Sequence, residues 1–179
     1  MPAGLPRVGW KVGRGIVEGE EHLEPVLGSL TELSDGALDP GEARELRVDA
    51  EVAVEVGSGR VAAALELVDL ARPPDDFETI VAENVWHRGV AFGPFTAEPP
   101  PDGFRTSIVV NGETRGETTG SVDVEETVRI AHRLLPTVGE EPRPGDRIIA
   151  GSILQVPVAP GEEVAVDLGA LGRVTAHVE

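Results

Sequence analysis

The chain is expected to be an α+β protein, mostly β, with one or two helices packed on a compact mixed β roll. Three observations predict this. The 22 glycines and 15 prolines punctuate it often; the stretches between them are short and rich in valine, which favours strands; and a single segment carries a clear helical period.

Strands are expected at Gly9 to Val12, Leu46 to Val56, Val61 to Leu70, Gly89 to Phe92 and Arg105 to Val110. Further strands are expected at Glu113 to Thr119, Arg147 to Ala150, Glu163 to Leu168 and Arg173 to Val178. Asn111-Gly112, between two alternating runs, is the signature of a tight type I′ hairpin. The helix runs from Asp123 to Leu135, because Val124, Val128, Ala131 and Leu135 recur on one face. Asp123 is its cap, Glu126 follows at the capping-box spacing and Pro136 ends it. A weaker helix covers Asp76 to Asn84, after Pro73-Pro74, and the three prolines within Ala97 to Gly103 predict an extended surface loop.

The length of 179 residues suits one domain with its own hydrophobic core, and neither an internal repeat nor a linker interrupts it. Without cysteine there is no thiolate nucleophile and no disulfide, so any metal must be held by oxygen or imidazole. The net charge of −17 argues against nucleic acid and against an anionic lipid surface. No run approaches the roughly 20 apolar residues of a membrane span, so a soluble, cytoplasmic protein is expected. A small anionic ligand would need a local positive centre to overcome the field.

Lys11 is the one lysine among 15 basic residues, and it sits in the apolar run Val8 to Gly13. Its ammonium can be tuned by burial or a nearby metal, which a guanidinium cannot; an isolated surface lysine is the plainer alternative. In Leu46 to Val56 the even positions are apolar, while Arg47, Asp49, Glu51 and Glu55 share the other face. That period places Asp49 and Glu51 about 6.6 Å apart on one side. Either the face is solvated or the acids have a purpose, and burial decides. In the next strand the run Val61 to Val68 is apolar on both faces except for Glu66, a carboxylate whose burial would cost several kcal/mol without a cation. A four-residue hairpin loop, Gly57 to Arg60, would set Val56 opposite Val61 and Glu51 opposite Glu66. Asp49, Glu51 and Glu66 would then form an oxygen-rich site suited to Mg²⁺ or Mn²⁺. His87 reads as a partly exposed packing residue on a loop or as an acid-base group. The cluster Glu18-Gly-Glu20-Glu21 reads as a solvated loop or an acidic lid.

Several short pieces occur in an order that resembles the fumarylacetoacetate hydrolase superfamily, above all its 2-oxopent-4-enoate hydratase and 4-oxalocrotonate decarboxylase branch. They include Gly9-Trp-Lys11-Val-Gly13, Gly28-Ser-Leu-Thr31-Glu32, Val48-Asp49-Ala-Glu51, Ala64-Leu-Glu66-Leu-Val-Asp69, Ala82-Glu-Asn84, Phe92-Gly93 and Ala150-Gly-Ser152. The resemblance implies the β roll of that superfamily's catalytic domain, with metal ligands at Asp49, Glu51 and Glu66. It places Lys11 beside metal and substrate, Glu32 at a catalytic acidic position, and Asn84 and Ser152 against the substrate. It further implies Mg²⁺ or Mn²⁺, a 2-hydroxydienoate or other small anionic 2-oxo acid as substrate, hydratase chemistry through an enolate, and a homo-oligomer; the alternatives are a 2-oxo acid decarboxylase or C–C bond hydrolase of the same superfamily, or a non-catalytic shortened relative acting as a subunit. The family usually carries a helical segment ahead of the lysine strand, which this chain is expected to lack, and its threonine after the Gly-Ser motif is Leu154.

Overall fold

The computed structural model describes residues 7–13, 25–32, 36–39, 41, 45–70 and 77–179. Two sheets pack face to face. The first has six strands in the order β2 (Val26–Thr31), β1 (Arg7–Gly13), β9 (Arg147–Pro157), β4 (Leu46–Glu55), β5 (Val61–Asp69) and β6 (His87–Phe92). It curls until its outer strands meet, where Glu32 bridges Val90. The second sheet runs β3 (Ala37–Leu38), β11 (Arg173–Val178), β10 (Glu163–Asp167), β7 (Phe104–Val110) and β8 (Glu113–Gly120).

β4 and β5 lie at the centre of the curled sheet, so both of their faces are covered. The even residues of β4, from Leu46 to Val54, join Leu65, Leu67, Ile108 and Val166 in the core between the sheets. The opposite face lines the inside of the curl, where Leu30, Ala53, Ala64, Val90 and Ile149 from five strands form one small cluster. Only a curled sheet can bring five strands' same-side residues together, and the small alanines at its middle let it close.

The helix α2 (Val124–Leu134) begins as expected, with the Asp123 carboxylate accepting from the Glu126 amide at 2.8 Å. Val124 and Val128 pack on the core beside buried Ile130, Ala131 and Leu135. The Glu126 side chain does not complete the box but pairs with Arg129; α2 stops just before Pro136, as expected, although the chain keeps a helical path. A 3₁₀ turn, Leu135–Val138, carries it on to a left-handed Gly139, because proline is tolerated in a first helical turn. The shorter helix α1 (Phe77–Ala82) lies inside the expected span. Asn111 and Gly112 both have positive φ, 51° and 83°, as the β7–β8 hairpin requires. Two strands were not anticipated, β2 and β3, and β9 extends seven residues past Ala150 to Pro157.

The β4–β5 hairpin corrects the expected register. Val54, not Val56, faces Val61, so Asp49 pairs with Glu66 and Glu51 with Ala64. Glu55 closes the turn: its amide donates to the Arg60 carbonyl at 2.8 Å, and its carboxylate binds Ser58 and Arg60. Val56 is drawn off to pair with Gly145 and Asp146. A slip of two residues preserves the side on which each residue points, so the three acids still share a face. Among the described residues no helix is long and apolar enough to cross a membrane.

Candidate metal and substrate site

Carboxylate oxygens of Asp49, Glu51 and Glu66 lie within 4.8 Å of one another, on the inner face of the curled sheet. All three are buried, Glu66 completely, and Lys11 is buried beside them at 8% exposure. β1 brings Lys11 in through its pairing with β9, where Lys11 stands beside Ile149. Its Nζ lies 2.7 and 2.8 Å from the two Glu66 oxygens and 3.1 Å from the Val85 carbonyl. The face expected to be either solvated or functional is therefore buried.

The electrostatics follow from three acids and one cation. Burial drives the Lys11 ammonium down, but Glu66, with Asp49 and Glu51 behind it, more than offsets this and raises its pKa above the ordinary value. Burial and the Glu66 charge push Asp49 up to about 6, against the pull of Lys11 and of hydrogen bonds from Gln155 and Ser152. Glu51 is raised well above the usual range by burial, Glu66 and Asp49. Burial would raise Glu66 too, but Lys11 and His87 hold it below its ordinary value. One carboxylate is thus paired and ionised, while two hold protons more tightly than in water.

His87 proves to be part of this site rather than a partly exposed loop residue. It opens β6 and is 5% exposed. The Thr31 amide donates to Nε2 at 3.0 Å, so Nε2 is the acceptor and the ring proton resides on Nδ1, which donates to Glu66 Oε1 at 2.8 Å. Gln155, which sequence reasoning passed over, donates from Nε2 to Asp49 Oδ1 at 2.7 Å; it stands opposite Asp49 in the β4–β9 pairing, in the part of β9 that was not foreseen.

The Gly-Ser motif also finds a reason. A Cβ on Gly151 would lie 2.5 Å from Glu51 Oε2, so any other residue there would push the carboxylate out of its present position. Ser152 is exposed at the mouth of a cavity of about 490 Å³, lined by Lys11, Asp49, Glu51, Trp86, Ser152 and Gln155 among others. Leu154, where the family has threonine, packs against the core opposite Ala50.

Two expected residues are placed elsewhere. Glu32 is absent from the described lining of the cavity, and its carboxylate pairs with Arg147 at 3.2 Å. Arg147 stands opposite Glu55, six residues along β4 from Asp49, which is about 20 Å of strand. It stacks over Phe92 and Phe95 beside the inner alanine cluster. Asn84 is also missing from that lining: its carboxamide accepts from the Ser29 amide at 2.8 Å and donates to the Ser29 carbonyl at 2.9 Å. The Glu18 to Glu21 cluster lies outside the described residues.

The donor set fits a hard divalent cation, which takes carboxylate oxygens. Glu51 Oε2 is buried without a hydrogen-bond partner, a costly state that a bound ion would relieve.

No protein-family model matches the chain, and no curated protein matches it. Solved structures do. 4-Oxalocrotonate decarboxylase from Pseudomonas putida G7, complexed with calcium and acetate, superposes with a TM-score of 0.77 at 23% identity, over 98% of this chain and 79% of that one. Fumarylpyruvate hydrolase from Pseudomonas aeruginosa, in complex with Mn²⁺ and pyruvate, gives 0.63 at 16% identity, over 97% and 89%. 2-Hydroxyhepta-2,4-diene-1,7-dioate isomerase from Mycobacterium marinum gives 0.65 at 14%, over 97% and 76%. These neighbours are members of the superfamily that the sequence resembles, and the mixed β roll expected of it is the fold found.

Proposed function

We propose that this chain is a divalent-metal-dependent lyase of the fumarylacetoacetate hydrolase superfamily, a hydratase acting on a 2-hydroxydienoate or related 2-oxo acid. One observation carries the reading: Asp49, Glu51 and the chain's only lysine line a cavity large enough for a small organic acid, with the Glu66 carboxylate buried within 4.8 Å of the other two.

Asp49, Glu51 and Glu66 would hold Mg²⁺ or Mn²⁺. Such an ion, when bound, supplies Lewis-acid polarisation of a 2-oxo group and its neighbouring carboxylate. Lys11 donates a hydrogen bond to the substrate's 2-oxo oxygen and moves a proton between oxygen and carbon as dienol becomes ketone. Glu66 and the Val85 carbonyl keep that ammonium directed at the site. His87 fixes Glu66, Gln155 fixes Asp49, and the Ser152 hydroxyl at the mouth binds the substrate carboxylate. Water then adds to the activated alkene and completes hydration.

A decarboxylase is the second reading, favoured by the likeness to 4-oxalocrotonate decarboxylase across 98% of the chain. There the electrons of the bond to departing CO₂ pass into the same enolate, and the same residues serve. Titration with Mg²⁺ and Mn²⁺, followed by a panel of 2-hydroxydienoates and 2-oxo diacids, tests both. Water addition supports the hydratase and CO₂ release the decarboxylase. Failure to bind either ion at millimolar concentration overturns both.

A further inference from the structure

Asn84, Val85 and Trp86 have φ values of 53°, 54° and 60°. Three successive non-glycine residues in the left-handed region are held there only by their surroundings, and valine is among the residues least suited to it. Two contacts hold this turn. The Asn84 carboxamide binds both main-chain groups of Ser29 on β2, the end strand of its sheet among the described residues. The Val85 side chain is buried with Val26 and Ile80.

The held turn places one carbonyl at the lysine and a second over Gly28. The Val85 carbonyl accepts from Lys11 Nζ at 3.1 Å. Asn84 O lies over Gly28, which faces Lys11 across the β1–β2 pair. A Cβ at Gly28 would come within 2.8 Å of Lys11 Cγ and 3.1 Å of Asn84 O. The lysine stem therefore runs through a slot whose floor is a glycine and whose lid is the turn.

We propose that Asn84 and Gly28 are positioning residues that fix the Lys11 ammonium against the acidic site, and that Asn84 acts through the Val85 carbonyl rather than by touching substrate. The proposal rests on the reading of Lys11 as the proton-handling group, because a misplacement of about 1 Å there costs on the order of 10²-fold in rate. Its test needs no turnover, so the two can fail separately.

Lys11 is the only lysine, so protein grown on lysine labelled with ¹⁵N at Nζ gives one side-chain ammonium signal by nuclear magnetic resonance. Asn84→Ala and Gly28→Ala are each expected to move that signal and speed its hydrogen exchange by about tenfold, with Mg²⁺ affinity measured alongside. Asn84→Asp keeps the acceptor for the Ser29 amide and loses only the donor to its carbonyl. It is expected to fall between wild type and alanine, and it serves where Asn84→Ala does not fold. Ile130→Val, in α2, controls for general loss of stability and should leave the signal in place. The proposal is overturned if folded Asn84 and Gly28 variants keep the wild-type signal and exchange within about twofold. It is also overturned if Ile130→Val shifts them equally. Absence of Mg²⁺ binding in wild type would instead overturn the functional reading.

Discussion

Lys11 Nζ sits 2.7 and 2.8 Å from the two carboxylate oxygens of Glu66, a residue 55 positions away and wholly buried. Such a pair contributes little net stability compared with apolar packing, but breaking it strands a charge in the interior. Lys11→Met is therefore expected to destabilise the apoprotein by about 3–5 kcal/mol and to abolish turnover. Lys11→Met with Glu66→Gln should recover much of the stability and none of the activity. Urea denaturation of both variants decides; a single variant as stable as wild type refutes the pairing's role.

Metal binding should release protons and tighten as pH rises. Asp49, pushed up to about 6, and Glu51, raised well above its ordinary value, must both ionise to serve as ligands. Calorimetric titration with Mg²⁺ in buffers of different ionisation enthalpy, between about pH 5 and 8, measures the protons released. Affinity independent of pH across that window would contradict the assignment of ligands.

The same raised pKa makes a prediction for the metal-free protein. A carboxyl whose folded pKa exceeds its unfolded value favours folding while protonated, and that advantage is lost as pH rises through the folded value. For Asp49 the window runs from about 4 to about 6. Relative to Asp49→Asn, wild type should lose on the order of 3 kcal/mol across it. Saturating Mg²⁺ should restore wild type and have a smaller effect on the variant. Melting temperatures at pH 4 and 7 of both proteins, with and without Mg²⁺, test the sign.

His87 donates to Glu66 from Nδ1 and accepts from the Thr31 amide at Nε2. His87→Asn can keep the first bond and loses the second, whereas His87→Leu loses both. Groups that orient metal ligands typically affect metal affinity by about 10–100-fold. His87→Leu should show a loss of that order and His87→Asn a smaller one, measured by Mn²⁺ titration. Equal affinities for all three would reduce His87 to a packing role.

Gly151→Ala drives a methyl group into Glu51, 2.5 Å from Oε2 in the present geometry. The variant should fold, since the strand is otherwise undisturbed, yet bind Mg²⁺ about tenfold or more weakly. Circular dichroism with calorimetric titration separates these outcomes, and an unchanged affinity would show that Glu51 is not a ligand.

Much of this architecture was legible as local pattern. Valine-rich alternation located most strands, Asn111-Gly112 their hairpin, and Asp123 the cap of α2, because each depends on neighbours in the chain. The period of two put Asp49 and Glu51 on one side, and Glu66 stood out as the single acid in the apolar run Val61 to Val68. What local pattern could not supply was burial, register and partners. Whether the Asp49 face met water depended on a curl that brings Glu32, just past the end of β2, to Val90 of β6. The hairpin register depended on Glu55 gripping Ser58 and Arg60, a choice between links differing by two residues. His87 and Gln155 carry no spacing signal toward the acids because they arrive on other strands. The resemblance set Asn84 against the substrate, but its carboxamide binds Ser29 from a turn of three left-handed residues. The sequence by itself determined which residues the strands offer to each side; only the closed sheet decided which of them meet, because contacts between distant strands are set by closure and packing rather than by neighbours along the chain.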